Sequence, residues 1–107
     1  MNVTERIKEQ LEHNPVVLYM KGTPDFPQCG FSSQTVQILD ACGATYAAVN
    51  ILEDPELREA LKVYSSWPTY PQLYIKGELV GGCDIVTDLY QKGELKTMLS
   101  AADSAEA

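Results

Sequence analysis

Hydrophobic residues recur at two spacings along this chain, and the switches between them mark out its elements. Val3, Ile7 and Leu11 stand at helical spacing, opened by Asn2 with Glu5 three residues later in a capping-box pattern and closed by Asn14-Pro15. Residues 16–21, VVLYMK, form a β-branched and aromatic run that is long enough for a buried strand and too short for a helix. GTPDFPQ then interrupts both kinds of regular structure with one glycine and two prolines. Phe31, Val36, Ile38 and Leu39 favour a helix from Gly30 to Ala41, ended by Gly43. A second strand over 45–51 leads into EDPELREALKVYSS, where Asp54 caps, Pro55 takes the first helical position and Leu57, Leu61 and Tyr64 form the inward stripe.

WPTYP breaks the chain again, and QLYIKGELVGG reads as two short strands around a Lys76-Gly77 turn. Asp84 is placed to cap the next helix, with Ile85, Leu89 and Tyr90 facing in. Gly93 separates that helix from a last one carrying Leu95, Met98 and Leu99. The closing SAADSAEA is small and polar, which predicts a frayed end, so the domain is expected over residues 1–100 with a flexible acidic tail at 101–107. A strand-helix-strand unit implies a parallel pair with a right-handed crossover, and the hairpin adds an antiparallel pair. The expected fold is therefore α/β: a mixed sheet covered by helices.

Composition changes this picture in two ways. A formal charge of −7 and a pI near 4.5 lack the basic footprint of a nucleic-acid binder, and the longest apolar stretch, around Val16 to Met20, is far too short to span a bilayer. The N-terminus lacks a basic region followed by an apolar core, so no export signal is expected. Three cysteines, an odd count, argue against a disulfide framework and for a reducing compartment, with the cytoplasm as the expectation. Cys29, Cys42 and Cys83 lie far apart, and the one histidine, His13, sits among polar residues at a helix end, where a solvated role is expected rather than zinc ligation.

The chemistry concentrates at PQCGFSSQT, residues 27–35. A thiol is a nucleophile or metal ligand only as thiolate, and a helix N-terminus favours that form through unpaired N–H groups and the dipole. Cys29 has this setting; the alternative is a buried structural cysteine, which the flanking Pro27 and Gly30 disfavour. Three residues on, where a C-x-x-C motif carries its second sulfur, stands Ser32. Cys42 lies near the far end of the same helix, roughly 20 Å from Cys29 and beyond the limit of about 7 Å for a disulfide. Cys83 follows Gly81-Gly82 at a helix start, and a bridge to Cys29 is neither required nor excluded.

Lys21, the extended loop and CGFS, followed by WPTYPQLYIKGELVGGCD, closely resemble the monothiol glutaredoxins, the thioredoxin-fold family with the CGFS signature. The similarity runs from the first helix to about residue 99. It implies a thioredoxin-like sheet of four strands in the order 2-1-3-4, with the cysteine loop, the proline turn and the Gly-Gly segment converging on a glutathione site. In that reading Tyr70-Pro71 is a cis peptide that turns backbone groups toward the glutathione main chain. Gly81 and Gly82 admit the ligand to the backbone, and Cys83 and Asp84 hold its γ-glutamyl end. Asp84 is equally placed to serve only as a cap. Lys21, Arg58 and Lys62 supply positive charge for the glycyl carboxylate; Arg58 and Lys62, four apart, are neighbours on one helix face that is otherwise simply solvated. No ligand role is assigned to Trp67.

One sulfur suffices for either of two functions. With Ser32 unable to attack a mixed disulfide, turnover as a thiol-disulfide oxidoreductase requires a second glutathione. As a carrier the chain falls short, since a [2Fe-2S] cluster needs four thiolates and each chain offers one good candidate. Two chains and two glutathione molecules complete the set, giving a cluster-bridged homodimer that is monomeric when apo. The resemblance favours this carrier, with cluster delivery to iron-sulfur acceptor proteins, a role in iron homeostasis and a BolA-like partner. Deglutathionylation is the alternative.

Overall fold

The computed structural model describes residues 2–106. Its elements run α1 (Val3–His13), β1 (Val16–Met20), α2 (Gly30–Ala41), β2 (Ala47–Asn50), α3 (Pro55–Ser65), β3 (Gln72–Ile75), β4 (Glu78–Gly81), α4 (Cys83–Gln91) and α5 (Glu94–Glu106), with a 3-10 turn at Ile51–Glu53. The strands form one sheet in the order β2-β1-β3-β4, the order the resemblance implies. β1 pairs parallel with β2 and antiparallel with β3, and β3 pairs antiparallel with β4. At the hairpin, Lys76 and Gly77 both take positive φ (53° and 78°), the geometry of the two-residue turn the sequence predicts.

β1 is buried along its whole length because both faces of the sheet are covered. Val16, Leu18 and Met20 face a core shared with Val36, Ile38 and Leu39 of α2, Val86 of α4, and Leu95 and Leu99 of α5. Val17 and Tyr19 point to the other face, where Ile7 and Leu11 of α1 meet Leu57 and Leu61 of α3. A strand with apolar residues at every position thus serves two cores at once. Tyr19 and Tyr74 pack edge to face with centroids 5.5 Å apart.

Local signals hold at the helix starts. Asn2 Oδ1 accepts the Glu5 amide at 2.9 Å, and Asp54 Oδ1 accepts the Leu57 amide at 3.2 Å. Several inward assignments do not hold. Phe31, Tyr64, Ile85 and Tyr90 are exposed, while Val86, outside the expected stripe, is fully buried. α4 starts two residues early, with Gly82 as its N-cap, so Asp84 lies inside the first turn and caps nothing. The segment expected to fray continues α5 through Glu106, because Ala102 is fully buried against the sheet-facing core; a small residue there closes the packing. Ala107 lies outside the described residues.

Asp54 joins the two helices of one face, since its second carboxylate oxygen pairs with Arg6 of α1. The Leu57 amide, and then Arg6, hold its carboxyl below the usual carboxylate range. Asp54→Ala is expected to lower unfolding free energy by about 1 kcal/mol, chiefly through the lost cap, since partly exposed ion pairs add little. The folded value is depressed, so this contribution is complete above the ordinary carboxylate pKa and is lost as pH falls through the folded one. Urea denaturation of the two proteins should give curves that separate at neutral pH and converge on acidification.

Candidate functional site

Three irregular segments meet beyond the carboxyl ends of the parallel pair β1 and β2. The first is the strap between β1 and α2. Gly22 and Pro27 form a bridge across it, and the Thr23 and Phe26 backbones exchange hydrogen bonds at 3.3 and 3.1 Å. Gly22 is buried at φ +94°, and a Cβ there would lie 2.5 Å from the Phe26 carbonyl oxygen, so the fold of the strap admits only glycine. Asn50 Oδ1, at the end of β2, accepts both the Gly22 and the Leu52 amides at 3.0 Å. The strap is therefore pinned to the sheet, with Phe26 exposed at its tip.

Cys29 is the N-cap of α2 in extended geometry, and its side chain caps no amide. Its thiol is a partly exposed free sulfur held below the ordinary thiol range. The Ser32 backbone N–H is the largest cause, opposed by partial burial and reinforced by the Phe31 N–H, the Lys21 ammonium and the Ser32 hydroxyl. All four favour the anion, as the first turn of a helix does for any thiolate placed over it. Ser32 itself is fully buried, and its Oγ accepts the Lys21 amide at 3.1 Å.

The second segment is the turn from Trp67 to Pro71, where the Tyr70–Pro71 peptide is cis as the resemblance implies. Its anchor is Gln72, a fully buried polar residue on β3. Gln72 Nε2 donates to the carbonyls of Trp67 and Thr69 at 3.1 and 3.3 Å, and its Oε1 accepts the Tyr74 hydroxyl at 3.1 Å. The third is Gly81-Gly82-Cys83. A Cβ on Gly82 would sit 3.3 Å from the Pro71 carbonyl oxygen and 3.4 Å from Trp67 Nε1, so glycine lets the second and third segments touch. Gly82 has no side chain to cap α4, and that helix also opens without a side-chain cap.

Between the segments lies a cleft of about 430 Å³. Of the predicted site residues, Lys21, Cys29, Arg58, Lys62, Tyr70, Pro71, Gly82, Cys83 and Asp84 line it, and Gly81 does not. Three cations against one carboxylate make this cleft positive on a chain of net charge −7. Lys62 is partly engaged by Glu59 at 3.5 Å, so Arg58 and Lys62 do not face each other uncompensated. Tyr70 donates its hydroxyl to the Arg58 carbonyl at 2.5 Å, which ties the proline turn to α3. A larger depression of about 590 Å³ at the other end of the sheet, beside Pro15 and Lys76, has no cysteine in its walls.

The glutaredoxin family model matches residues 16–80. The chain belongs to the glutaredoxin family. It is 55% identical over 95 residues to glutaredoxin 4 of Escherichia coli (strain K12), an alignment covering 89% of this chain and 83% of that one. Its fold is similar to the solution structure of reduced poplar apo GrxS14, with a TM-score of 0.83 at 51% identity over 95% and 94% of the two chains. It is also similar to a crystal structure of a buckwheat glutaredoxin-glutathione complex, with a TM-score of 0.84 at 25% identity over 94% and 90%.

In this glutaredoxin the cleft also contains residues to which the sequence reading gave no site role. Phe31, Pro68, Thr69 and Ile85 line it, as does Trp67, whose buried Nε1 has no hydrogen-bond partner. The signal for Trp67 was its place in WPTYPQ, four residues before Pro71; for Phe31 and Ile85 it was that each follows closely on a cleft cysteine. Cys83 is buried with its sulfur 3.9 Å from Thr87 Oγ1, and Cys42 packs at the far end of α2 against the core. All three thiols are free in this structure. His13 is solvent-facing, as expected.

A thiolate held below its usual range reacts at lower pH than a free thiol. The alkylation rate of Cys29 in the reduced, metal-free glutaredoxin, read by peptide mass spectrometry, should rise with a midpoint on the acid side of ordinary cysteine. Lys21→Ala should slow alkylation at pH 7 by roughly twofold, since a partly exposed cation contributes modestly. A midpoint at or above the free-thiol value would contradict the electrostatics described.

Proposed function

We propose that this glutaredoxin carries a [2Fe-2S] cluster as cargo between two copies of the chain, with two glutathione molecules supplying the thiolates the protein lacks, and delivers it to acceptor proteins. The observation that carries the reading is the solitary activated sulfur. The Cys29 thiol sits at an open helix end that holds it below the ordinary thiol range, and among the described residues no three Cys, His, Asp or Glu side chains gather where they would hold a metal. Ser32 adds an alcohol, which neither resolves a mixed disulfide nor replaces a thiolate ligand.

The cleft suits the tripeptide. Its volume falls in the range of small-ligand sites, and the charges in its walls are complementary to those of glutathione. Lys21, Arg58 and Lys62 suit the glycyl carboxylate. The uncapped first turn of α4, at Cys83 and Asp84, offers amides to the γ-glutamyl carboxylate and a side-chain carboxylate to its ammonium. Tyr70, Pro71 and Gly82 form the wall between, where backbone pairs with backbone. Glutathione lying along this line has its own sulfur beside Cys29. Half the ligands of such a cluster are exchangeable small molecules, which suits transfer. A BolA-like protein takes the place of one copy in this scheme, and the reducing cytoplasm is the fitting compartment.

Anaerobic incubation with ferric iron, a sulfide source and glutathione tests this. The wild-type protein should develop charge-transfer absorbance in the visible and elute at the size of a dimer. Without glutathione, or as Cys29→Ser, it should stay colourless and monomeric, a loss of more than about tenfold in cluster content. Rapid glutathione-coupled disulfide reduction with no colour under any condition would replace the carrier with the oxidoreductase.

A further inference from the structure

The position that distinguishes this motif from a dithiol is filled by a side chain with work of its own. Ser32 is fully buried on the first turn of α2, yet its Oγ reaches back to accept the amide of Lys21, eleven residues earlier and just past the end of β1. The Lys21 carbonyl is also engaged, accepting the Gln28 amide at 2.9 Å. The backbone around Lys21 is thus fixed on both sides. A ring results, running from Lys21 along the strap to Cys29, through the first turn of α2 and back through the Ser32 hydroxyl.

We propose that Ser32 is a positioning residue whose hydroxyl fastens the start of the strap to the first turn of α2, holding the Lys21 ammonium and the Cys29 sulfur in one fixed arrangement. A hydroxyl has one proton to give and two lone pairs to accept with. Accepting from the Lys21 amide leaves the hydroxyl proton still free to donate. A thiol accepts hydrogen bonds weakly. Cysteine at this position therefore supplies a second sulfur only by releasing the Lys21 amide, and the single-thiol motif and the strap are one structural unit. The significance for glutathione rests on the function proposed above, but the arrangement itself is tested on metal-free, glutathione-free protein, so either can fail without the other.

In the wild-type chain the Lys21 amide should be protected from hydrogen exchange although it lies beyond the strand. Ser32→Ala should accelerate its exchange about tenfold and slow alkylation of Cys29 by roughly three- to tenfold. Thr35→Val is the matched control. It removes another fully buried hydroxyl from the same helix, one bonded only to the Phe31 carbonyl at 2.9 Å, and should leave both readouts at wild-type values. Equal effects from the two variants, or none from Ser32→Ala, would reduce Ser32 to a packing residue. If Ser32→Ala fails to fold, the wild-type measurement decides: a Lys21 amide exchanging at the unprotected rate overturns the proposal.

Discussion

The favouring of negative charge on one sulfur, where α2 begins, is the interaction on which the rest of the site depends. The helix contributes its free N–H groups because Cys29 leaves its own N-terminus without a side-chain cap. A serine or aspartate there would satisfy those amides and stabilise the helix, but nothing reactive would remain. The same trade recurs at α4, where Gly82 opens the helix without a capping side chain. Two helix ends that give up local stability face one cleft, and the surrounding fold makes up the difference.

That fold is a way of bringing distant segments to one edge. β1 and β2 run parallel, so the crossover helix α2 must start beyond the end of β1, which places Cys29 beside Lys21. The antiparallel β3 and β4 carry the proline turn and the Gly-Gly segment back to the same edge, while their own turn at Lys76-Gly77 lies at the opposite one. Polar side chains fix each piece: the buried Ser32 and the half-buried Asn50 hold the strap, and the buried Gln72 holds the turn before β3. Each is a hydrogen bond between a side chain and a backbone group of a different segment or turn, and buried polar groups are kept only where they find such partners.

The elements and the cleft were largely legible from the residues. VVLYMK could only be a buried strand, and Asn2, Asp54-Pro55 and Gly43 punctuate their helices by local chemistry that needs no tertiary context. The cleft residues came from a resemblance resting on CGFS, WPTYPQ and GGCD, and the fold brings all of them to one place. Periodicity failed where function takes over a helix face. Phe31 and Ile85 belong by spacing to inward stripes but line the cleft, and Tyr64 and Tyr90 lie at helix margins where an aromatic ring stays half in water. Ala102 escaped because a small residue carries little hydrophobic signal although its burial is complete. Gln72 and Ser32 were invisible as anchors, since a polar residue in sequence looks the same whether it meets solvent or a backbone group of another segment.

The central claim is a shortage of sulfur within each chain, made good from outside. Native mass spectrometry of the anaerobically reconstituted protein counts the parts directly. The account predicts a species of two chains, two irons, two sulfides and two glutathione molecules, falling to a single bare chain when the cluster is chelated. A single chain that retains iron and sulfide with no glutathione attached would contradict it.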